Sequence, residues 1–306
     1  AIGRTINILK PLKKNVYSQI YVSYYINHKL RKNISKFAKG VSISNVYNSD
    51  LKTLNLHLPS LTEQNQIGTF FENLDKLLAE HQQKHSKLNA LKKAMLAKMF
   101  PQQEQTVPEI RFKGFTRDWQ DKTLGEVAYF RRGSFPQPYG LPEWYDEEYG
   151  MPFIQVFDVD ENMQLKQYTK SKISELGALY SVFVNKGTLV VTIQGSIGRV
   201  AKTQYDAFVD RTLLIFQSYK TKVYVDYFKY LVFLLFEIEK TKAPGGTIKT
   251  ITKEVLTEFK IHLPCFEEQK KIGDYFENLE YLITNHGIQI EKLQNIKKAF
   301  LAKMFI

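Results

Sequence analysis

Seven side chains in this sequence carry the hydrogen-bonding groups needed to read base edges and hold phosphates. Arg131 and Arg132 precede Gly133 in a stretch that continues through Pro136, Pro138 and Pro142. Gln194, Ser196 and Arg199 are interleaved with Gly195 and Gly198 between two β-like runs, and Lys202 lies just beyond. Lys249 follows the Gly245–Gly246 pair. An arginine fork matches guanine O6 and N7, a glutamine amide matches adenine N6 and N7, and lysine or serine suits phosphate oxygens. Plainer roles stand beside these. The Gly195–Gly198 stretch also reads as a hairpin turn, Arg131 and Arg132 as surface charge, and Arg211 beside Asp210 as an internal ion pair. The acidic residues Glu143, Asp146, Glu147 and Glu148 are expected to lie away from the basic set.

No catalytic set accompanies these groups. The sequence lacks an Asn- or Asp-Pro-Pro-aromatic tetrapeptide of the methyltransferase kind, a glycine fingerprint for a nucleotide after a strand, and a nuclease carboxylate pair. The Gly195–Gly198 turn has no lysine at the P-loop spacing. Glu258 and Lys260 form an E-x-K half-motif without a proline–aspartate partner. The expectation is a chain with no catalysis, metal or cofactor of its own.

The elements that must position these groups announce themselves as a repeat. Residues 57–100 run from His57, Leu58, Pro59 to Ala97, Lys98, Met99, Phe100, and residues 262–305 run from His262, Leu263, Pro264 to Ala302, Lys303, Met304, Phe305. The offset is 205 without a gap, and 23 of the 44 aligned pairs are identical by direct count. Such a repeat means two modules, each closed by one copy of the same element. Apolar steps of three and four predict a long helix with a coiled-coil seam in each copy. The seam residues are Ile67, Leu74, Leu77, Leu88 and Leu91 in the first copy and Ile272, Leu279, Leu282, Leu293 and Ile296 in the second. His81 and His286 fall on the seam at mid-length, as register or packing residues rather than metal ligands. Ser60 with Glu63 fits a capping box, a weaker cap is expected where Cys265 replaces the serine, and Pro101 stops the first helix. A helix this amphipathic needs a partner, and the nearest one is the other copy, antiparallel to it.

Composition narrows the partners. Forty-three Lys and Arg against 31 Asp and Glu give a net charge of +12, which favours a polyanion. The excess is uneven. Residues 1–60 hold ten basic residues against Asp50 alone, whereas residues 106–265 hold 21 against 19. One cysteine, Cys265, argues against a disulfide framework and for a reducing cytoplasm. The longest purely apolar run, Leu231 to Phe236, is far short of a membrane span.

The sequence thus divides into residues 1–58, the closing part of a first module; 59–105, a helix and linker; 106–264, a second module; and 265–306, the second helix. Helical stretches are expected at Ile20 to Lys32 and Val225 to Glu239, and strands at Phe153–Phe157, Gly187–Ile193, Val200–Thr203 and Thr212–Ser218, which makes an α+β fold. At the same offset Tyr25 meets Tyr230, Gly40 meets Gly245, Ile43 meets Ile248 and Leu51 meets Leu256. The second module has roughly 100 residues upstream of this point that the first lacks. The first module therefore reads as incomplete, with apolar surface expected at Ile6, Ile8, Leu9 and the Tyr21–Ile26 stretch, open to a completing fragment or to self-association.

From Gly40 onward the chain resembles the specificity subunit of type I restriction-modification systems. The resemblance rests on Leu56, Leu58, Pro59, Glu63, Gln64 and Ile67 and their copy Ile261, Leu263, Pro264, Glu268, Gln269 and Ile272, on the helix end Lys297, Lys298, Ala299 and Met304, and on Phe112, Gly114, Phe115, Trp119, Leu124 and Gly125. It implies two target-recognition domains on two antiparallel helices, each domain reading one half of a split sequence in double-stranded DNA. It also implies that the helix pair spaces the domains and docks two methyltransferase subunits, with restriction subunits completing the enzyme. S-adenosylmethionine and ATP would then belong to the partners. The competing reading is a nuclease or an accessory coiled-coil protein that does not read DNA.

Overall fold

The computed structural model describes residues 16–37, 52–102, 105–242 and 253–305. Lys249, Gly40, Gly245, Gly246, Ile6, Ile8 and Leu9 lie outside them. The chain divides into two compact units, Ala1–Asn89 with Tyr281–Ile306, and Ala90–Glu280.

Two helices of 39 residues dominate, α3 (Leu61–Met99) and α8 (Phe266–Met304). At about 1.5 Å per residue each is about 58 Å long. They pair antiparallel in both units. In the first unit Phe70 meets Phe300 (ring centroids 5.0 Å apart), Asp75 binds Lys297 (2.5 Å) and His81 meets His286. In the second, Lys92 binds Glu280 and Phe100 meets Phe276 at 6.0 Å. One row of covered residues on α3, Phe71, Leu74, Leu78, His81, His85, Leu88, Lys92, Met95 and Met99, follows a strict alternation of steps three and four. Adding 205 gives the matching row of α8, Phe276, Leu279, Ile283, His286, Ile290, Leu293, Lys297, Phe300 and Met304, of which only Phe300 is exposed (37 %).

Of the expected seam residues, Ile67, Ile272, Leu282 and Ile296 lie outside this row but remain covered in whole or part, and two are exposed. Leu77 is 45 % exposed and Leu91 39 % exposed; Leu78 and Lys92 take their places. Apolarity alone cannot choose between neighbouring leucines, and it overlooks a lysine whose charge is met by Glu280 across the seam. Ile67, Leu74, Leu293 and Ile296 join the first unit's core, Ile272 and Leu279 are buried, and Leu88 and Leu282 are half-buried. The Glu63 N–H donates to Ser60 Oγ at 3.3 Å, as the cap expected there requires.

Each unit repeats one anchoring device. In the first unit α1 (Gln19–Tyr25) continues through a π turn into α2 (Arg31–Phe37) and rests on α3. In the second, α6 (Val225–Lys242) rests on α8. Gln64 accepts from the Ser18 N–H (2.9 Å) and donates to the Pro59 carbonyl (2.8 Å); Gln269 does the same with Tyr224 (3.0 Å) and Pro264 (3.0 Å). Phe305, at the end of α8, packs on Tyr21 and Phe71, while Phe100, at the end of α3, packs on Tyr227 and Phe276. The helix preceding each rod is therefore related by 206, not 205, so Tyr21 rather than Tyr25 has the aromatic counterpart. Tyr21 and Tyr25 are each 3 % exposed, so the apolar surface expected over Tyr21–Ile26 is covered at both.

The rest of the second unit is mixed α and β. The short strand β1 (Gln120–Thr123) leads through α4 (Leu124–Val127) to β2 (Ala128–Arg132). Then come β3 (Met151–Ile154), β4 (Ser171–Ile173), α5 (Glu175–Ala178), β5 (Val182–Val184), β6 (Leu189–Thr192), β7 (Val200–Lys202), β8 (Ala207–Val209) and β9 (Leu213–Tyr219). After α6, the short α7 (Lys253–Thr257) and β10 (Lys260–Leu263) lead into α8. One sheet has the order β2-β9-β6-β7, a second β4-β3-β8-β5, and β1 pairs with β10. Ile154, Val184 and Val209 of the second sheet join Val190, Ala201, Leu213 and Ile215 of the first in a single core, so the two sheets pack on each other. Phe228 of α6 meets Phe216 and Tyr219 of β9 edge to face. The strand expected over Phe153–Phe157 ends early, because Val156–Asp158 turns as a 3-10 helix.

Candidate nucleic-acid interface

Strand direction gathers several of the candidate residues at one end of the second unit. Both β2 and β6 run antiparallel to β9, so their C-terminal ends point the same way and meet the start of β9. The C-terminal ends of the parallel pair β3 and β8 adjoin them: the Asp210 N–H donates to the Ile154 carbonyl (3.0 Å) and the Ser134 N–H to the Val209 carbonyl (3.0 Å). Gly133 makes this junction possible. A Cβ there would lie 2.3 Å from the carbonyl oxygens of both Val209 and Asp210, so only glycine lets the loop cross the strand ends. The opposite end of β2 adjoins α4, whose Leu124 N–H donates to Phe259 just before β10 and α8.

At the gathered end Arg131 and Arg132 are exposed, and Arg131 Nε donates to the Arg132 carbonyl at 3.2 Å. The 193–199 turn holds Gly195 at φ +67° and Gly198 at φ +85°, a backbone that glycine adopts freely. Gln194 is half-buried and its amide has no protein partner among the described residues; Ser196 is exposed. Arg199 is tied down, its guanidinium donating to Glu161 (2.8 Å) and to the Val159 carbonyl (3.2 Å). Together with Val156, Asp160 and Glu161, the residues Gly195, Ser196 and Arg199 line a groove of about 630 Å³. Lys202 is not at this end. It pairs with Leu189 at the base of the β6–β7 hairpin and forms an ion pair with Asp226 of α6. Lys249 lies outside the described residues. The acidic segment falls before β3, at the other end of that strand, where Asp146 accepts from the N–H groups of Glu148 (3.0 Å) and Tyr149 (2.9 Å).

Two residues at the gathered end escaped the sequence reading. The plainer reading set Arg211 in an ion pair with Asp210. Instead Asp210 Oδ1 accepts from the Thr212 N–H (2.9 Å) and hydroxyl (2.6 Å), which pins the turn into β9. The exposed Arg211 guanidinium lies over the Tyr139 ring, 5.6 Å from its centroid. Tyr139 is 54 % exposed and packs on Phe135 at 4.5 Å, with the Gln155 amide 3.4 Å from its hydroxyl. Nothing in the sequence marks Tyr139; it is one aromatic residue in a proline-bearing loop. Burial, with Tyr139 and Asp210 nearby, also holds the Tyr145 phenol above its ordinary value.

Among the described residues, no group of three or more His, Cys, Asp or Glu is placed to hold a metal ion, and no helix is long and apolar enough to cross a membrane. The E-x-K pair, Glu258 and Lys260, brackets the start of β10, which is paired along its length with β1.

Comparison with known proteins agrees with this architecture. The family described as "Type I restriction modification DNA specificity domain" matches residues 3–90 and 116–295. The putative type I restriction enzyme MjaX specificity subunit of Methanocaldococcus jannaschii is 27 % identical over 312 residues, covering 98 % of this chain and 70 % of that protein. The type I restriction enzyme MjaVIII specificity subunit of the same organism is 24 % identical over 307 residues, covering 94 % and 70 %. The crystal structure of a type I restriction-modification S subunit from M. genitalium superposes with a TM-score of 0.69 at 18 % identity, over 96 % of this chain and 74 % of that one. The HsdS subunit from Thermoanaerobacter tengcongensis gives 0.55 at 20 % identity, over 94 % and 69 %. The chain belongs to the type I restriction modification DNA specificity domain family, as a specificity subunit that recognises DNA and leaves catalysis to other subunits.

Proposed function

We propose that the second unit reads one half of a split duplex sequence with the strand ends that carry Arg131, Arg132, Gln194 and Ser196. The observation behind this is their convergence on the end of the unit farthest along its strands from β10 and the start of α8. Exposed arginines there suit phosphates, and an unpartnered amide suits a base edge. The paired helices α3 and α8 dock two methyltransferase subunits, to which restriction subunits add. S-adenosylmethionine and ATP are used on those partners, in the cytoplasm.

A further polypeptide segment completes the first unit. In the second unit β1 covers β10, leaving Ile261 and Leu263 only 2 % and 5 % exposed, and Arg111 binds Glu268 in a bidentate pair. The repeat equivalents Leu56 and Leu58 are each 39 % exposed, and Glu63, the equivalent of Glu268, is exposed as well. A synthetic peptide of residues 109–126 should bind this chain in trans, and Leu56→Asp should abolish the binding; a peptide that fails to bind contradicts this part.

The test of the main reading is selection of random duplexes by the complex of this chain with its methyltransferase subunits. The expected result is a split motif. Binding without preference, or metal-dependent cleavage by the chain alone, would instead favour the nuclease or accessory reading.

A further inference from the structure

Four arginines lie at the gathered strand ends, and they differ in how their guanidinium groups are held. Arg199 is already neutralised by Glu161. Arg131 and Arg132 are exposed, and among the described residues no aromatic face or acidic side chain holds either. Arg211 alone combines exposure with a fixed setting. Its backbone is the middle of the turn that Asp210 closes onto Thr212, and its guanidinium is seated over the ring of Tyr139.

Tyr139 is itself fixed. Its ring packs on Phe135, which is 7 % exposed and in turn rests on Phe153 at 5.4 Å. The preceding carbonyl, of Pro138, accepts from the Trp144 indole at 2.9 Å. The platform is thus built from the core outward and ends in a half-exposed ring.

Base reading and phosphate holding place different demands on arginine. A phosphate accepts a charge from many directions, so a freely moving side chain serves. Two simultaneous bonds to guanine O6 and N7 need a fork held in one plane, and side-chain freedom lost beforehand is not lost again on binding. We infer that Arg211 is the specificity-determining residue for a guanine in the half-site read by the second unit. Tyr139 is its positioning residue, and Arg131 and Arg132 are phosphate contacts. This rests on the reading that the second unit recognises DNA at this end, and goes beyond it by dividing the labour among the arginines and naming a base.

The experiment uses the full chain in complex with its methyltransferase subunits. It measures affinity for the selected duplex and for every single-base change in the second half-site, at several salt concentrations. Arg211→Ala should relax one G·C position, lowering discrimination there by about 10- to 100-fold, and leave the other positions and the first half-site unchanged. Tyr139→Leu should relax the same position, and Tyr139→Phe, which keeps the ring, should retain it. Arg131→Ala and Arg132→Ala should weaken all sequences alike and lower the salt slope by about one each. The inference is overturned if Arg211→Ala weakens all duplexes uniformly, or if the G·C position responds to Arg131 or Arg132 instead. A wild-type complex with no preference in either half-site would overturn the underlying reading, which is a different result from a preference that ignores Arg211. Because Arg211 and Tyr139 are exposed, unchanged thermal melting of the variants serves as the folding control.

Discussion

His81 and His286 are equivalents in the repeat, 205 residues apart, and they face each other with their Nδ1 atoms 3.0 Å apart. Equivalent residues meet only when two copies of an element are related by a local two-fold. The ion pairs obey the same rule: Asp75 binds Lys297, and their equivalents Glu280 and Lys92 bind each other. The helix pair behaves as a homodimeric antiparallel coiled coil whose two strands belong to one chain.

The histidine pair makes the first unit sensitive to acid. Burial, then His81, Lys84 and His85, lower the His286 pKa below its ordinary value of 6.5. A native state that holds this ring neutral binds fewer protons than the unfolded chain. Its contribution to stability is therefore fully present above pH 6.5 and is lost as pH falls through the lowered value. Thermal melting should move to lower temperature as the pH drops from about 7 to about 5, and His286→Gln should flatten that dependence. An equal pH dependence in the variant would show that other groups are responsible.

The repeated glycines let α1 and α6 approach the long helices. A Cβ on Gly273 would fall 2.7 Å from the Tyr224 ring and 2.8 Å from the Tyr227 nitrogen, whereas on Gly68 it would fall 3.2 Å from Ile20 and from the Tyr21 nitrogen. Gly273→Ala should therefore destabilise the chain by about 1–3 kcal/mol, and Gly68→Ala by less, in chemical denaturation. The opposite order would mean that the first unit's helix is the more tightly seated one.

Glu268 is 1 % exposed and its carboxylate is held by Arg111 in a bidentate pair. Arg111→Met leaves the carboxylate buried and unpaired and should cost about 3–5 kcal/mol, while Arg111→Met with Glu268→Leu should recover most of the loss. Equal stability of the single and double variants would show that the pair is hydrated in solution.

The seam assignment is open to a direct comparison. Leu74, on the contact row, is 9 % exposed and Leu91 39 %. Leu74→Ala should cost about 2–5 kcal/mol, as a buried leucine does, and Leu91→Ala about 0.5 kcal/mol or less. Similar losses at both sites would return Leu91 to the contact face.

The sequence made the long helices legible because 44 residues repeat without a gap and their apolar steps persist over ten turns. It placed the seam imperfectly because seam positions at Lys92 and Lys297 are polar and their charges are met across the seam by Glu280 and Asp75. The strands β3, β6, β7 and β9 were legible from their apolar runs. Strands β4, β5 and β8, three residues each like β7, were not, since their pairing is set by the sheet rather than by local pattern. For the candidate interface, residue type pointed to Arg131, Arg132, Gln194 and Ser196, which the strand directions gather at one end of the second unit. It gave no warning that Arg199 and Lys202 are neutralised by Glu161 and Asp226, 38 and 24 residues away, or that Arg211 sits on Tyr139.

The end of the second unit that faces DNA can be read directly. A photo-crosslinking residue placed at Ser196, in the 193–199 turn, and in a separate variant at Glu258, beside β10, would decide it in the assembled complex on its selected duplex. The predicted result is crosslinking from position 196 confined to one half of the split sequence, with none from position 258. Crosslinks from 258 and none from 196 would contradict it.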